Sequence, residues 1–365
     1  MKTWSKDVIK CVWLWFGIVL FVGLIVVPDI AAQEQSLQFD DIIRMLDPSD
    51  KKINYLGTKF VIDYTPSRRS TTLVRVTYGA SGLEKKEVSP LQRGEAQIIL
   101  DDGKFLWHYI PSQASVVKKK RRVSLGEISQ RIHQQNELIQ QNYQIQIETL
   151  SATSTIASVS QIPSVTGDVL VTFQPKMKDR PAWKIWIDSE HGLVVRTEIY
   201  DVNGDLTLLS AFSELTFQPE ISKSSFVIKV PKGTTMRTSV EKHFHTIEEA
   251  EQELDFPISQ PGYMPEGFVL AAVVYSQNDQ REKVQLAYVD GLSSISIFEE
   301  THEISSETSH GTSQKIVINP SIKGTFHDQG LLKILDWQLN TDLHLTLVGE
   351  IADTELLKIA SSFAQ

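Results

Sequence analysis

Between residues 33 and 365 the hydrophobic positions recur with two different periods. Leu37, Phe39, Ile42, Ile43 and Leu46 stand at helical spacing, which predicts a short amphipathic helix. From there to about residue 110 the period is two. Phe60, Ile62 and Tyr64 alternate with Val61 and Asp63; Val74, Val76 and Tyr78 alternate with Arg75 and Thr77; Phe105, Trp107 and Tyr109 alternate with Leu106 and His108. Turn residues at Pro66–Ser70, Gly79–Gly82 and Asp101–Gly103 separate these runs. The pattern predicts a meander of antiparallel strands, aromatic on one face.

Helical spacing returns over Ser124 to about Gln141, opened by the capping pair Ser124 and Glu127. Ser151–Thr166 is rich in Ser and Thr without a period and reads as a loop. Strands are predicted again at Val169–Phe173, Trp183–Asp188, Leu193–Tyr200, Leu206–Phe217 and Phe226–Val230, with a hairpin signal at Asp201–Asp205. Pro231 to about Thr246 interrupts the pattern and is the best domain boundary. A helix capped by Thr246 and Glu249 follows, then Pro/Gly punctuation from Phe256 to Phe268. Strands are predicted near 269–275, 284–289, 293–299, 314–318, 331–337 and 342–348, and a last helix from Asp353. The second half is therefore a smaller sheet with a helix at each end.

The first 32 residues have a different character. Lys2, Lys6 and Lys10 precede an apolar run from Val12 to Val27, and Ala31-Ala32 close it, the order of a secretory signal peptide. Cleavage after Ala32 leaves Gln33 first; the alternative is an uncleaved membrane anchor. Either way the remainder is expected outside the cytoplasm. Cys11, the single cysteine, lies in this segment, so the exported part has no disulfide and no thiol nucleophile.

A length of 365 residues suggests about two domains, and 41% hydrophobic with 22% charged residues is the composition of a folded protein. The net charge of −9 disfavours nucleic acid as a partner. The usual catalytic signatures are missing. Gly79-Ala80-Ser81-Gly82 lacks the spacing of a nucleophile elbow, and His302-Glu303 has no second histidine one turn on. His243-Phe244-His245 offers two imidazoles at strand spacing without a third ligand, so a solvated loop is favoured over a metal site. No catalytic residue, cofactor or metal is expected.

Two features remain. The run Lys118-Lys119-Lys120-Arg121-Arg122 needs solvent or an anionic partner, because adjacent cations repel. It reads either as a solvated strand end or as a contact for an anionic lipid headgroup. The aromatic strand faces, with Phe60, Ile62, Tyr64, Trp107, Tyr109, Trp183 and Trp186, either pack as a core or line a cavity for an acyl chain.

The segments Tyr55–Thr58, Leu73–Val76, Asp102–Lys104 and Tyr109–Pro111 resemble, in order and spacing, the RseB/MucB family. So do Phe173–Arg180, Trp186–Asp188 and Gly192-Leu193 through Gly204, and in the second half Pro265–Phe268, Asp290–Phe298, His310-Gly311 and Val348–Glu350. The resemblance implies an α+β fold, mostly antiparallel β. Its first domain, 33–232, would be a half-open β-barrel of the LolA type with helices on the concave side. A linker and helix at 233–256 and a smaller C-terminal sheet-and-helix domain at 257–365 would follow. It further implies a periplasmic negative regulator of an envelope-stress sigma factor. Such a protein binds the periplasmic part of a membrane-spanning anti-sigma factor and shields it from proteolysis. Mislocalised lipoproteins or lipopolysaccharide would release it, and acyl chains, a lipoprotein or lipopolysaccharide would be its lipidic partners. On that reading the aromatic residues line the lipid cavity and Lys118–Arg122 meet the headgroup. The alternative is a lipoprotein or lipid carrier of the LolA type.

Overall fold

The structure, a computed structural model, describes residues 37–47, 53–65, 69–92, 94–121, 135–150, 165–238, 240–278, 281–300 and 313–363. Helix α1 (Phe39–Leu46) opens the described chain; Gln38 and Asp41 cap it reciprocally, and Ile42, Ile43 and Leu46 are its buried stripe. The predicted helix at 124–141 is seen as α2 over residues 135–142, its earlier part lying outside the described residues. Most of the predicted Ser/Thr-rich loop also lies outside them, as does Arg122.

The first half forms one sheet. Its strands are β1 (Tyr55–Asp63), β2 (Ser70–Gly79), β3 (Leu83–Pro90), β4 (Gln97–Asp101), β5 (Phe105–Ile110), β6 (Ser115–Lys120), β7 (Tyr143–Thr149), β8 (Val169–Pro175), β9 (Ala182–Asp188), β10 (Leu193–Tyr200), β11 (Leu206–Phe217) and β12 (Thr235–Thr238). These 12 strands run in the order β12-β6-β5-β4-β3-β2-β1-β11-β10-β9-β8-β7, so the sheet is not closed. All pairings are antiparallel except β12 with β6. The Asp201–Asp205 hairpin forms as its residues demand: Asp201 Oδ1 accepts from the Asn203 and Asp205 N–H groups, and Gly204 takes φ +86°.

The second half forms a separate 8-stranded sheet of β13 (Val240–Phe244), β14 (Val269–Asn278), β15 (Arg281–Val289), β16 (Ser294–Glu300), β17 (Ser313–Asn319), β18 (Ile322–Gln329), β19 (Leu332–Gln338) and β20 (His344–Gly349). Helices α3 (Ile247–Leu254) and α4 (Asp353–Ser362) cover one face, burying Ala250, Leu356 and Ile359 against Leu286, Leu335, Trp337 and Leu347. Thr246 caps α3 as expected, its Oγ1 accepting from the Glu249 N–H at 3.1 Å.

Three sequence expectations are corrected. Phe226–Val230 is no strand: Lys223–Phe226 forms a 3-10 turn that buries Phe226 beside Gly79. The segment expected to interrupt the pattern supplies two strands, β12 at the edge of the first sheet and β13 at the edge of the second. Strand β18 was not predicted, because Gly324 and Asp328 interrupt the apolar alternation of Ile322 and Phe326.

Candidate binding faces and the junction of the two sheets

Between β1 and β6 the register is unbroken, so faces can be read across six strands. Leu56, Thr77, Lys85, Leu100, Trp107 and Lys118 form one cross-strand row. Phe60 and Ile62 lie on this same face further along β1, and Tyr109 two residues from Trp107 on β5. Phe60 continues the row through Ala211 and Arg196 to Trp186. The row beside it, Val61, Ser210, Thr197, Ile185 and Val171, belongs to the opposite face. That opposite face is the one α1 and α2 cover, with Ile42, Leu46 and Ile139 packed on Val171, Ile185 and Trp183.

The candidate aromatics are therefore divided. Phe60, Ile62, Trp107, Tyr109 and Trp186 face away from the helices, whereas Trp183 lies under them. Trp183 and Trp186 are 3% and 4% exposed and belong to separate core clusters. Tyr109 is also buried, while Phe60, Ile62 and Trp107 are half-buried. Tyr64 follows β1, its N–H bonded to Thr207 O and its ring near the Arg69 guanidinium. A depression of about 340 Å³ does occur at the free edge of β7, but it is lined by Leu37, Phe39, Tyr143, Ile145 and Ile147 and none of the candidates.

The basic run is split by the same alternation. Lys118 and Lys120 join the aromatic face. The Lys118 ammonium lies 3.8 Å from the Phe105 ring centre and 4.4 Å from that of Trp107. Trp107 Nε1 donates to Asp102 at 2.7 Å. Burial pushes the Asp102 carboxyl up, but that bond, the Phe105 and Lys104 N–H groups and the Lys118 charge outweigh it and leave it low. On the other face Lys119 pairs with Glu241 at 2.7 Å and Arg121 with Asp101 at 3.3 Å. Of Lys118–Arg121 only Lys120 is exposed.

A second site forms where the sheets meet. Arg180, in the turn from β8 to β9, reaches Asp290 Oδ2 at 3.0 Å, and both side chains are fully buried. Its remaining donors go to Asp179 and to the Glu266 carbonyl at 2.7 Å. Tyr143 donates its hydroxyl to Asp290 Oδ2 at 2.9 Å. Asn142 Nδ2 donates to the Gly267 and Asp290 carbonyls. The other Asp290 oxygen accepts from the Leu292 and Ser293 N–H groups. The Ala352 N–H, just before α4, bonds Asp179 O at 2.7 Å. Gly291 packs against Ile139, and Gly330 against Thr65. Burial raises the Asp290 carboxyl, the hydrogen bonds and Arg180 only partly offsetting it. Burial also drives Glu350 well above the usual carboxylate range, and the Asp290 charge adds to it.

No charge run or catalytic motif pointed to this junction. The signal lay in Asp179-Arg180, Pro265–Phe268, Asp290–Ser294 and Val348–Glu350, segments far apart in the chain that the structure brings together. His243 lies on strand β13 and not in the expected loop, with Phe244 entering the second core and the His243 Nε2 3.7 Å from Glu241. Among the described residues no group of three or more His, Cys, Asp or Glu could hold a metal ion. Nor is any described helix long and apolar enough to cross a membrane.

Comparison with known proteins follows these features. Residues 43–230 match the family model of the MucB/RseB N-terminal domain, and residues 258–363 match a domain of unknown function, DUF4367. A crystal structure of MucB in complex with MucA(peri) is similar at 15% identity and TM-score 0.50, covering 86% of this chain and 93% of that one. The Pseudomonas aeruginosa MucA/MucB complex gives 15% identity, TM-score 0.49 and the same coverage of 86% and 93%. A crystal structure of MucB gives 14%, TM-score 0.49 and coverage of 88% and 96%. No curated protein matches by sequence. Because the first family model spans more than half of the chain, the protein belongs to the MucB/RseB family.

Proposed function

We infer that this protein is a periplasmic negative regulator of an envelope-stress sigma factor. It binds the periplasmic part of a membrane-spanning anti-sigma factor and shields that segment from proteolysis. Residues 1–32 export it and residues 33–232 and 257–365 are the body of its two domains, while 233–256 between them add β12 to the first sheet and β13 and α3 to the second domain. The observation that carries the reading is family membership over 43–230. It is supported by coverage of both sheets by MucB, which has been solved together with MucA(peri).

The first domain senses lipid. The half-buried Phe60, Ile62 and Trp107 offer apolar surface on one sheet face, and Lys118 and Lys120 stand at its end for an anionic headgroup. Trp183 and Trp186, packed in the core, are not part of this surface. A ligand releases the partner only by binding the free form more tightly, with a coupling of about 1–3 kcal/mol.

Calorimetric titration of the secreted protein with the periplasmic segment of a membrane-spanning anti-sigma factor from the same organism tests the reading. Saturable binding that protects the segment from a site-one protease is expected. No binding, with transfer of an acylated protein between membranes instead, would replace it by the carrier of the LolA type.

A further inference from the structure

Glu350 has no counterpart among the other charged groups of the junction. It follows β20 directly, its N–H bonded to Ser294 O, and it is 2% exposed. Among the described residues neither carboxyl oxygen makes a well-formed hydrogen bond, and the Ser294 N–H is the one donor that eases its ionisation. The buried cation of the junction is already taken. Arg180 is committed to Asp290, Asp179 and the Glu266 carbonyl, and Asp290 is saturated by Arg180, Tyr143, Leu292 and Ser293. A carboxylate buried beside the Asp290 charge, with no cation paired to it among the described residues, is costly to ionise, so Glu350 is held there as the neutral acid.

We propose that Glu350 is a proton-gated latch on the junction of the two sheets. With the proton in place, the Arg180–Asp290 pair and the Asn142 and Tyr143 hydrogen bonds hold the sheets together. When the proton leaves, a second negative charge beside Asp290 competes for Arg180, and hydration of Glu350 requires the junction to open. The other titratable groups nearby act in the same direction or weakly. Asp179 is a further negative charge on Arg180; Tyr143 is pushed well above its ordinary value by burial and by Asp290. Tyr263 is bonded to Glu355, which Lys358 neutralises. Opening is therefore favoured by alkaline conditions. Control of the anti-sigma partner by this opening rests on the function proposed above; the latch does not.

Small-angle scattering of the secreted protein without any partner tests it, with far-ultraviolet dichroism to show that the sheets stay folded. From about pH 6 to about pH 9.5 the radius of gyration is expected to rise by ~1–2 Å above the roughly 20 Å of a compact chain of this length, with unchanged dichroism. Glu350→Gln should stay compact throughout, and Glu350→Met serves if the amide variant does not fold. A radius that is flat with pH in the wild type overturns the latch. So does an expansion with the same midpoint in either variant. Neither result bears on partner binding, which the titration reads separately.

Discussion

Arg180 and Asp290 stand 110 positions apart in the chain, yet their charged groups meet at 3.0 Å with both side chains withdrawn from water. One lies in the turn between β8 and β9 of the first sheet and the other in the turn between β15 and β16 of the second, so this pair is one of the contacts that join the two halves. A buried ion pair adds little over an apolar replacement, but its loss on one side leaves a stranded charge.

Asp290→Asn or Arg180→Met alone should therefore lower stability by about 3–5 kcal/mol, and the double variant by clearly less than the sum. Urea unfolding followed by tryptophan fluorescence measures this. Strictly additive losses would mean that the two groups do not act as a pair.

Gly267 and Gly204 have nearly the same left-handed backbone, at φ +87° and +86°. A side chain at Gly204 meets nothing within 4 Å, whereas at Gly267 it falls 2.0 Å from Asn142 Oδ1. Gly204→Ala should cost about 1–2 kcal/mol from backbone strain alone. Gly267→Ala should cost a further ~1–3 kcal/mol, because it also displaces Asn142 and strands its partners in the junction. Equal melting temperatures for the two variants would remove Asn142 from that role.

Asp336 is held at about 2, since contacts with His327 at 3.2 Å and Thr346 at 2.7 Å, with His344 3.8 Å away, outweigh the burial that alone would raise it. A carboxylate lowered in the folded state stabilises above its unfolded value near 4, and that stability is lost as pH falls from about 4 through about 2. Asp336→Asn should flatten the acid limb of the stability profile and cost on the order of 2 kcal/mol at neutral pH. An acid limb as steep as that of the wild type would assign the loss to other carboxylates.

For the basic run, alternation across β6 separates two roles. Replacing Lys118 and Lys120 by Ala should weaken binding to anionic vesicles by about 1 kcal/mol per residue, roughly fivefold each, without much change in stability. Lys119→Ala, which removes the pair with Glu241, should leave vesicle binding nearly unchanged. Co-sedimentation distinguishes them. Vesicle binding lost equally in both would mean that the charges act only as a sum.

Strands with one apolar face could be located from the chain because an alternating pattern is a local property. Val169–Phe173 and Leu193–Tyr200 were found within a few residues of β8 and β10. The strands that were missed or misplaced include β12, β13, β7 and β18. The first two are short edge strands whose reason for being extended is a neighbour brought up by the rest of the fold. Periodicity also cannot say which face of a strand the helices cover. That depends on register and on the irregularities at Thr58/Lys59 and Val194/Arg196, where one extra residue redirects the side chains.

The chain by itself determined the two sheets in outline, the cap at Thr246, the Asp201–Asp205 turn and the family to which the protein belongs. Each of these is written in residues close together or in the order of short motifs. Tertiary structure decided that Trp183 and Trp186 lie on opposite faces. It also decided that Lys119 is paired while Lys118 rests on aromatic rings, and that Arg180, Asp290 and Glu350 share one buried place. Burial and electrostatic partnership depend on which distant segments arrive at the same point, and the local pattern of a strand or turn does not carry that information.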